Sequence, residues 1–240
     1  MLLLDVGNTR LKWAMAESGT FGADGAIVHE GKPADALSRL ELDEEPESIR
    51  VVSVAGPANE LAINKICLAR WQRAPVHARS EVERDGLRNG YAQPQRLGAD
   101  RWIAMLAAWH LAGRGTFVVV DAGTALTVDV VDADGRHLGG IIAAGLQTSE
   151  KAVLGATRFP TRDTPLAEHA GLGLDTEACV RQGAMLSVIG AIERSTALAP
   201  NNARFVLTGG DAAALRPHLA GDWDLRSRLV MEGLLVLSTV

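Results

Sequence analysis

The sequence is short of cysteine. Cys67 and Cys179 are the only two in 240 residues, too few for a disulfide scaffold, and they form no C-x-x-C pair. They read as two buried free thiols in a reducing cytosol. No His/Cys spacing suggests zinc, and the six histidines (His29, His77, His110, His137, His169 and His218) form no ligand pattern, so they read as surface or satisfied core residues. No apolar run approaches the roughly 20 residues of a membrane helix. The opening Leu2-Leu3-Leu4 lacks a basic flank and is too short for a signal peptide. These absences predict a cytoplasmic protein with no membrane partner. There is no excess of positive charge either: the net charge of −5 argues against a nucleic-acid partner held by bulk electrostatics. It leaves anionic small molecules open, because local backbone N–H groups can hold them. The commonest phosphate loop, Gly-x-x-x-x-Gly-Lys-Ser/Thr, is missing, and no Gly-x-Gly-x-x-Gly follows the first strand.

What is present is a globular composition, 47% hydrophobic and 22% charged, long enough for one large domain or two small lobes. Leu2 to Val6 reads as a buried strand, followed by a second strand from Leu11 to Ala16 and a turn from Gly19 to Gly25. A helical patch covers Ala34 to Leu40, and Arg50 to Val54 is a strand. Pro57 suits the first position of a helix reaching Trp71. Ser80 to Gly98, rich in Gly, Pro, Asn and Gln, reads as a long loop, and such loops in compact domains usually carry function. A helix is predicted over Asp100 to Leu111. Phe117 to Val120 and Thr127 to Val131 are strands, Asp132 to Gly135 a hairpin turn, and Arg136 to Ala143 the returning strand. Helices near 146–154, 175–198, 212–219 and 229–237 and a strand from Arg204 to Thr208 complete the chain.

One unit occurs twice. An apolar strand delivers Asp, one spacer and Gly, and a second strand follows: Asp5-Val6-Gly7-Asn8-Thr9, then Asp121-Ala122-Gly123-Thr124-Ala125. Two lobes follow, 1–113 and 114–240. Glycine allows close backbone approach to phosphates, and turn N–H groups with the Asn8, Thr9 and Thr124 side chains supply donors. A carboxylate at the strand end can meet a magnesium ion that bridges to the phosphates, and Lys12 can add a point charge. Taken singly, each Asp-x-Gly is equally an ordinary turn. A buried strand-end carboxylate is costly unless paired or bound, and two such turns shift the balance toward nucleotide binding. A third element, Thr208-Gly209-Gly210-Asp211, would let an adenosine lie on backbone, or is a strand-to-helix turn with Asp211 as N-cap. Asp100 alone reads as a helix cap, Arg101 as a surface ion pair, and Tyr91, the only tyrosine, as an anchor for the 80–98 loop.

These residues resemble the acetate and sugar kinase, heat-shock ATPase and actin superfamily. More closely, and over essentially the whole chain, they resemble the type III pantothenate kinases. The matching pieces are Asp5 to Thr9, Asn89-Gly90-Tyr91 with Pro94, Leu97-Gly98-Ala99-Asp100-Arg101, Asp121 to Ala125, Gly139-Gly140-Ile141-Ile142-x-x-Gly145, and Thr176 ahead of Gly183. Gly98 to Arg101 is the specific piece. Ala144 stands where the family often has proline.

The resemblance implies an α/β fold: a duplicated actin-like (ribonuclease H-like) ATPase of two lobes, with mixed sheets flanked by helices. It implies transfer of the ATP γ-phosphate to the primary hydroxyl of pantothenate, the first step toward coenzyme A, with Asp100 as general base. Asp5, Val6, Gly7, Asn8, Thr9, Arg10, Leu11, Lys12 and Thr124 would hold ATP. Tyr91, Gly98, Ala99, Asp100, Arg101 and Thr176 would hold pantothenate. Asp5 would face the magnesium of ATP, and Asp121 a monovalent cation, K+ or NH4+. A homodimer with a pocket shared between chains is implied as well. The alternative is a non-enzymatic accessory or regulatory protein that keeps the nucleotide cleft; it could dispense with Asp100.

Overall fold

The computed structural model describes residues 1–111, 113–157 and 171–238; His169 lies outside them. The chain divides into two compact units, one formed by 1–114, 134–137 and 228–240 and the other by 115–133 and 138–227.

The first unit is built on a five-stranded sheet of order β3-β2-β1-β4-β5. Strand β1 (Leu2–Val6) lies at its centre, antiparallel to β2 (Arg10–Glu17) and parallel to β4 (Ile49–Ser53). Its leucines and Val6 are wholly inaccessible, which is why an unbroken apolar run rather than an alternating one encodes it. The edge strand β3 (Thr20–Val28) covers the residues expected to be a turn. That span looks like a turn because the strand is mostly exposed and carries two glycines; at Gly25 a Cβ would come 2.9 Å from the Trp13 indole nitrogen of β2. Helix α1 (Pro33–Ser38) and helix α2 (Pro57–Trp71), the latter with Pro57 in its first turn, precede β5 (Val76–His77). Leu37, Ile63 and Cys67 pack beneath β1 and β4. Burial pushes the Cys67 thiol up to about 11, so it is an inert apolar group. Cys179 departs from expectation: it is exposed.

The 80–98 segment is an ordered connection, not a bare loop. Strands β6 (Glu83–Arg84) and β7 (Leu87–Arg88) close around Asp85-Gly86, both at positive φ as a two-residue hairpin requires. Trp109 donates its indole N–H to the Asp85 carbonyl at 3.0 Å, pinning the hairpin to helix α3 (Ala99–Leu111). Asn89 staples the remainder. Its amide donates to the carbonyls of Glu81 (3.1 Å) and Pro94 (3.2 Å), and its side-chain oxygen accepts from Tyr91 N–H at 3.0 Å.

In the second unit the same order recurs, β10-β9-β8-β11-β12. Strand β8 (Phe117–Ala122) takes the central place, antiparallel to β9 (Ala125–Val131) and parallel to β11 (Arg204–Thr208), with β10 (His137–Ala144) and the short β12 (Trp223–Leu225) at the edges. Helices α4 (Leu146–Ala156), α5 (Thr176–Thr196) and α6 (Ala212–Leu215) complete it, with Val188 and Ile192 of α5 in its core. The duplication inferred from the two Asp-x-Gly segments is therefore a duplication of a whole sheet.

The final helix, α7 (Leu229–Val236), belongs to the first unit, so a single cut near residue 113 does not describe the division. The cause is packing. Leu229, Val230, Met231 and Leu234 are buried, and α7 meets α3 so closely that a Cβ on Gly233 would come 2.2 Å from the Ile103 carbonyl oxygen.

Candidate active site

In the first unit β1 ends in Asp5-Val6, and the chain turns through Gly7, Asn8 and Thr9 into β2. Asp5 is 8% exposed and stands opposite Lys12 in the antiparallel register, with Lys12 Nζ 3.7 Å from its Oδ2. Gly7 N–H donates to the Arg10 carbonyl at 3.1 Å and tightens the turn. Asn8, Thr9 and Arg10 are exposed. The side chains of Val6 and Leu11 are wholly buried in the core, so they can offer a nucleotide only their backbone.

The start of α3 gathers four expected residues. Asp100 lies in the first helical turn, where the helix N-terminus favours an anion, and its Oδ1 accepts from Arg101 N–H at 2.8 Å. Gly98 sits directly beneath: a Cβ there would come 2.6 Å from Asp100 Oδ1. Its missing side chain makes room for the carboxylate, a role that sequence reasoning had not given it. Arg101 is no surface ion pair. It is only 6% exposed, donates from Nη1 to the Tyr91 hydroxyl at 2.9 Å, and lies over the Tyr91 ring with its guanidinium carbon 5.8 Å from the centroid. Ala99 opens the helix beside them. Tyr91 is thus both a loop anchor and a partly open aromatic surface, next to a cleft lined by Tyr91, Ala92, Gln93 and Arg96.

Tyr91 also stacks on His137, ring centroids 6.0 Å apart and 14° from parallel. His137 is 1% exposed, and its carbonyl lies so near Gly90 that a Cβ there would come within 2.0 Å of the oxygen. This explains Asn89-Gly90-Tyr91 as a unit: the asparagine shapes the turn, the glycine admits the His137 backbone, and the tyrosine is presented. Sequence reasoning missed His137, since a ring stack across 46 positions leaves no local signal.

In the second unit Asp121 is the penultimate residue of β8 and is partly exposed. Three glycine elements close on this turn. Gly123 N–H donates to the Ala125 carbonyl, and Gly145 N–H to the Thr124 carbonyl, both at 3.1 Å. The Thr148 hydroxyl also donates to the Thr124 carbonyl, at 2.6 Å. Gly209, at φ +99°, would drive a Cβ to 2.3 Å from the Ala122 carbonyl oxygen and 2.5 Å from Asp121 Oδ1. The Gly-Gly turn thus exists to bring β11 against the end of β8. Asp211 occupies the N-cap position of α6 without a side-chain cap bond, and its N–H goes to the Ala122 carbonyl at 2.9 Å. Thr176 is half-buried at the first position of α5, whose N-cap Asp175 accepts from Ala178 N–H at 2.8 Å.

Replacing Tyr91 by phenylalanine keeps the ring stack but removes the acceptor for Arg101. KM for the phosphoryl acceptor should rise about threefold to tenfold with KM for ATP unchanged, as measured by steady-state kinetics; equal changes in both would detach Tyr91 from the acceptor.

Among the described residues no cluster of three or more His, Cys, Asp or Glu could hold a metal by itself, and no helix is long and apolar enough to cross a membrane. The solved structures similar to this chain show the fold. A conserved Campylobacter jejuni protein assigned to the Baf family of transcriptional activators aligns with a TM-score of 0.63 at 18% identity, covering 100% of this chain and 98% of that one. Component A of the Acidaminococcus fermentans (R)-2-hydroxyglutaryl-CoA dehydratase aligns at 0.52 and 14% identity, covering 98% and 94%. Together with the repeated sheet, these make the fold that of the actin-like ATPases and sugar kinases. Sequence comparison goes further. The chain is 36% identical over 247 residues to the type III pantothenate kinase of Halorhodospira halophila, covering 98% of this chain and 96% of that one. It is 37% identical over 237 residues to that of Dechloromonas aromatica, covering 98% and 97%. Residues 1–197 match the type III pantothenate kinase family, and with such relatives over nearly its full length the chain belongs to that family.

Proposed function

We propose that Asp100 is the general base of an ATP-dependent phosphorylation of pantothenate to 4'-phosphopantothenate, the reaction for which the family is named and the entry to coenzyme A biosynthesis. The chain is a pantothenate kinase, and the observation that carries the residue assignment is the cluster at the start of α3. A carboxylate, a buried guanidinium, a tyrosine and a carboxylate-accommodating glycine meet there within eleven residues of sequence.

The acceptor hydroxyl gives its proton to the Asp100 carboxylate as its oxygen bonds to the γ-phosphorus and the bond from that phosphorus to ADP breaks. Phosphoryl transfer needs little covalent help from the protein. Asp100 therefore has to be in place rather than strongly basic, which suits a carboxylate held by a backbone N–H at a helix start. Arg101, held against Tyr91 and low in exposure, brings its positive charge to the acceptor or to the charge that develops on the phosphate. Asp5, Gly7 to Arg10, Lys12 and Thr124 hold the phosphates of ATP, with Val6 and Leu11 contributing backbone alone. The magnesium that accompanies ATP suits Asp5, a strand-end carboxylate, and would neutralise phosphate charge there.

Asp121 takes a monovalent cation, K+ or NH4+, in this reading, and Thr176 contacts pantothenate. The protein works in the cytoplasm as a homodimer with a pocket shared between chains. Helix α4 has no buried residue, and Val153, Leu154, Leu186 and Ile142 of the second unit are exposed apolar side chains, a surface suited to a second copy. The test is ADP release in a coupled assay with and without pantothenate, in potassium and in sodium. Pantothenate-dependent turnover is expected, faster in potassium. No pantothenate-dependent turnover in either salt would sink the reading.

A further inference from the structure

We propose that His29 is a positioning residue for the nucleotide: it locks the peptide plane between Gly7 and Asn8 so that the Asn8 N–H faces the phosphates. The inference rests on residues 5–9 being the phosphate turn.

His29 follows the last residue of β3 and is 5% exposed. Its backbone N–H donates to the Thr9 carbonyl at 3.0 Å. Lys32 N–H returns to the His29 carbonyl at 2.7 Å across Glu30 and Gly31, both at positive φ, which makes a tight two-residue turn. That turn folds Gly31 N–H onto the ring, where Nδ1 accepts it at 3.1 Å. A nitrogen that accepts from a backbone N–H carries no proton, so the ring proton sits on Nε2. Nε2 lies 3.0 Å from the Gly7 carbonyl oxygen and donates to it. Both ring nitrogens are thereby committed, and the tautomer is set by the backbone around it.

The consequence falls on the next residue. No peptide bond in the described chain is cis. In a trans peptide the carbonyl and the following N–H point in opposite directions. A Gly7 carbonyl aimed at His29 therefore aims the Asn8 N–H away from it, toward the exposed side of the turn where Asn8, Thr9 and Arg10 stand. Glycine is the residue most able to let this plane flip, and His29 removes that freedom. Asp5 and Lys12 are fixed by the strand ladder; the Gly7–Asn8 plane has no ladder partner to fix it, and His29 takes that place.

The two halves of the imidazole can be tested separately. His29→Gln keeps a donor near the Nε2 position for Gly7 and loses the Gly31 bond, whereas His29→Asn keeps an acceptor near Nδ1 for Gly31 and loses the Gly7 bond. Affinity for Mg-ATP is measured by calorimetry without pantothenate, and both KM values by kinetics. His29→Asn should weaken Mg-ATP binding and raise KM for ATP about tenfold, the fold-change of one good hydrogen bond, with KM for pantothenate within about twofold. His29→Gln should stay within about threefold of the wild type. Equal losses in both variants, no loss in His29→Asn, or a matching rise in KM for pantothenate overturns the proposal. Nitrogen-15 spectra of histidine in the wild-type protein supply a check independent of any variant: an Nδ1–H tautomer at His29 overturns it as well. Wild-type protein that binds Mg-ATP without pantothenate-dependent turnover fails the substrate assignment and leaves this one standing. Wild-type protein that binds no Mg-ATP fails both.

Discussion

Asp100→Asn is expected to lower kcat by about a thousandfold while leaving both KM values within about threefold. Asparagine has nearly the shape of aspartate, and its side-chain oxygen can still accept the Arg101 N–H that Asp100 Oδ1 accepts at 2.8 Å. The helix start and the seat above Gly98 are therefore preserved, and only the capacity to take a proton is lost. An interaction made in the transition state alone should lower kcat and kcat/KM equally. The thermal midpoint should be unchanged within a few degrees, which separates the chemical loss from unfolding. A kcat within about tenfold of wild type would show that another group or water takes the proton, and Asp100 would revert to a residue that shapes the helix start. The same substitution weighs the accessory-protein alternative, since a protein that only binds nucleotide has no turnover for Asp100 to control.

Much of the scaffold around Asp100 was legible because it rests on short-range chemistry. The central strands β1 and β8 are apolar up to the aspartate of the Asp-x-Gly that closes each, so their burial and their turns could be read directly. Pro57 marked the start of α2. What escaped were features fixed by distant partners. Strand β3 is a mostly exposed edge with glycines, and only its ladder to β2 makes it a strand. The 80–98 segment looks like a loop because its order comes from one asparagine side chain, a six-residue hairpin and an indole on α3. Helix α7 was expected as an element, but its place in the first unit depends on packing against α3 from more than a hundred residues away.

The candidate site divides in the same way. Asp5, Asp100 and Arg101 stand out by residue type and motif. His29 and His137 do not, because one bonds to backbone and the other stacks on a ring, contacts that any scattered histidine could make. The glycines were visible while their reasons were not. Gly98 was assigned to ligand approach, and Gly209 either to that or to a strand-to-helix turn. In the structure each first answers to a neighbouring group of the protein: a carboxylate and the end of β8.

Gly98→Ala turns that distinction into an experiment and should cost about a hundredfold in kcat. The Cβ would stand 2.6 Å from Asp100 Oδ1, closer than real contacts allow, so something has to shift. The obstacle is the end of a side chain, and Gly98 has no positive φ, so the backbone tolerates alanine and the carboxylate moves instead. Moving it breaks its bond to Arg101 N–H and carries the proton acceptor away from the attacking hydroxyl, where displacement of about 1 Å suffices for a loss of this size. The thermal midpoint should stay near that of the wild type. Gly90→Ala is the control: its Cβ would fall 2.0 Å from the His137 carbonyl, a backbone obstacle that cannot rotate away, so that variant should lose stability first. If Gly98→Ala leaves kcat intact and raises KM for pantothenate alone, the glycine serves substrate approach, as the sequence suggested. If kcat falls with both KM values steady, its role is to seat Asp100, and the general base owes its position to a missing methyl group two residues earlier in the chain.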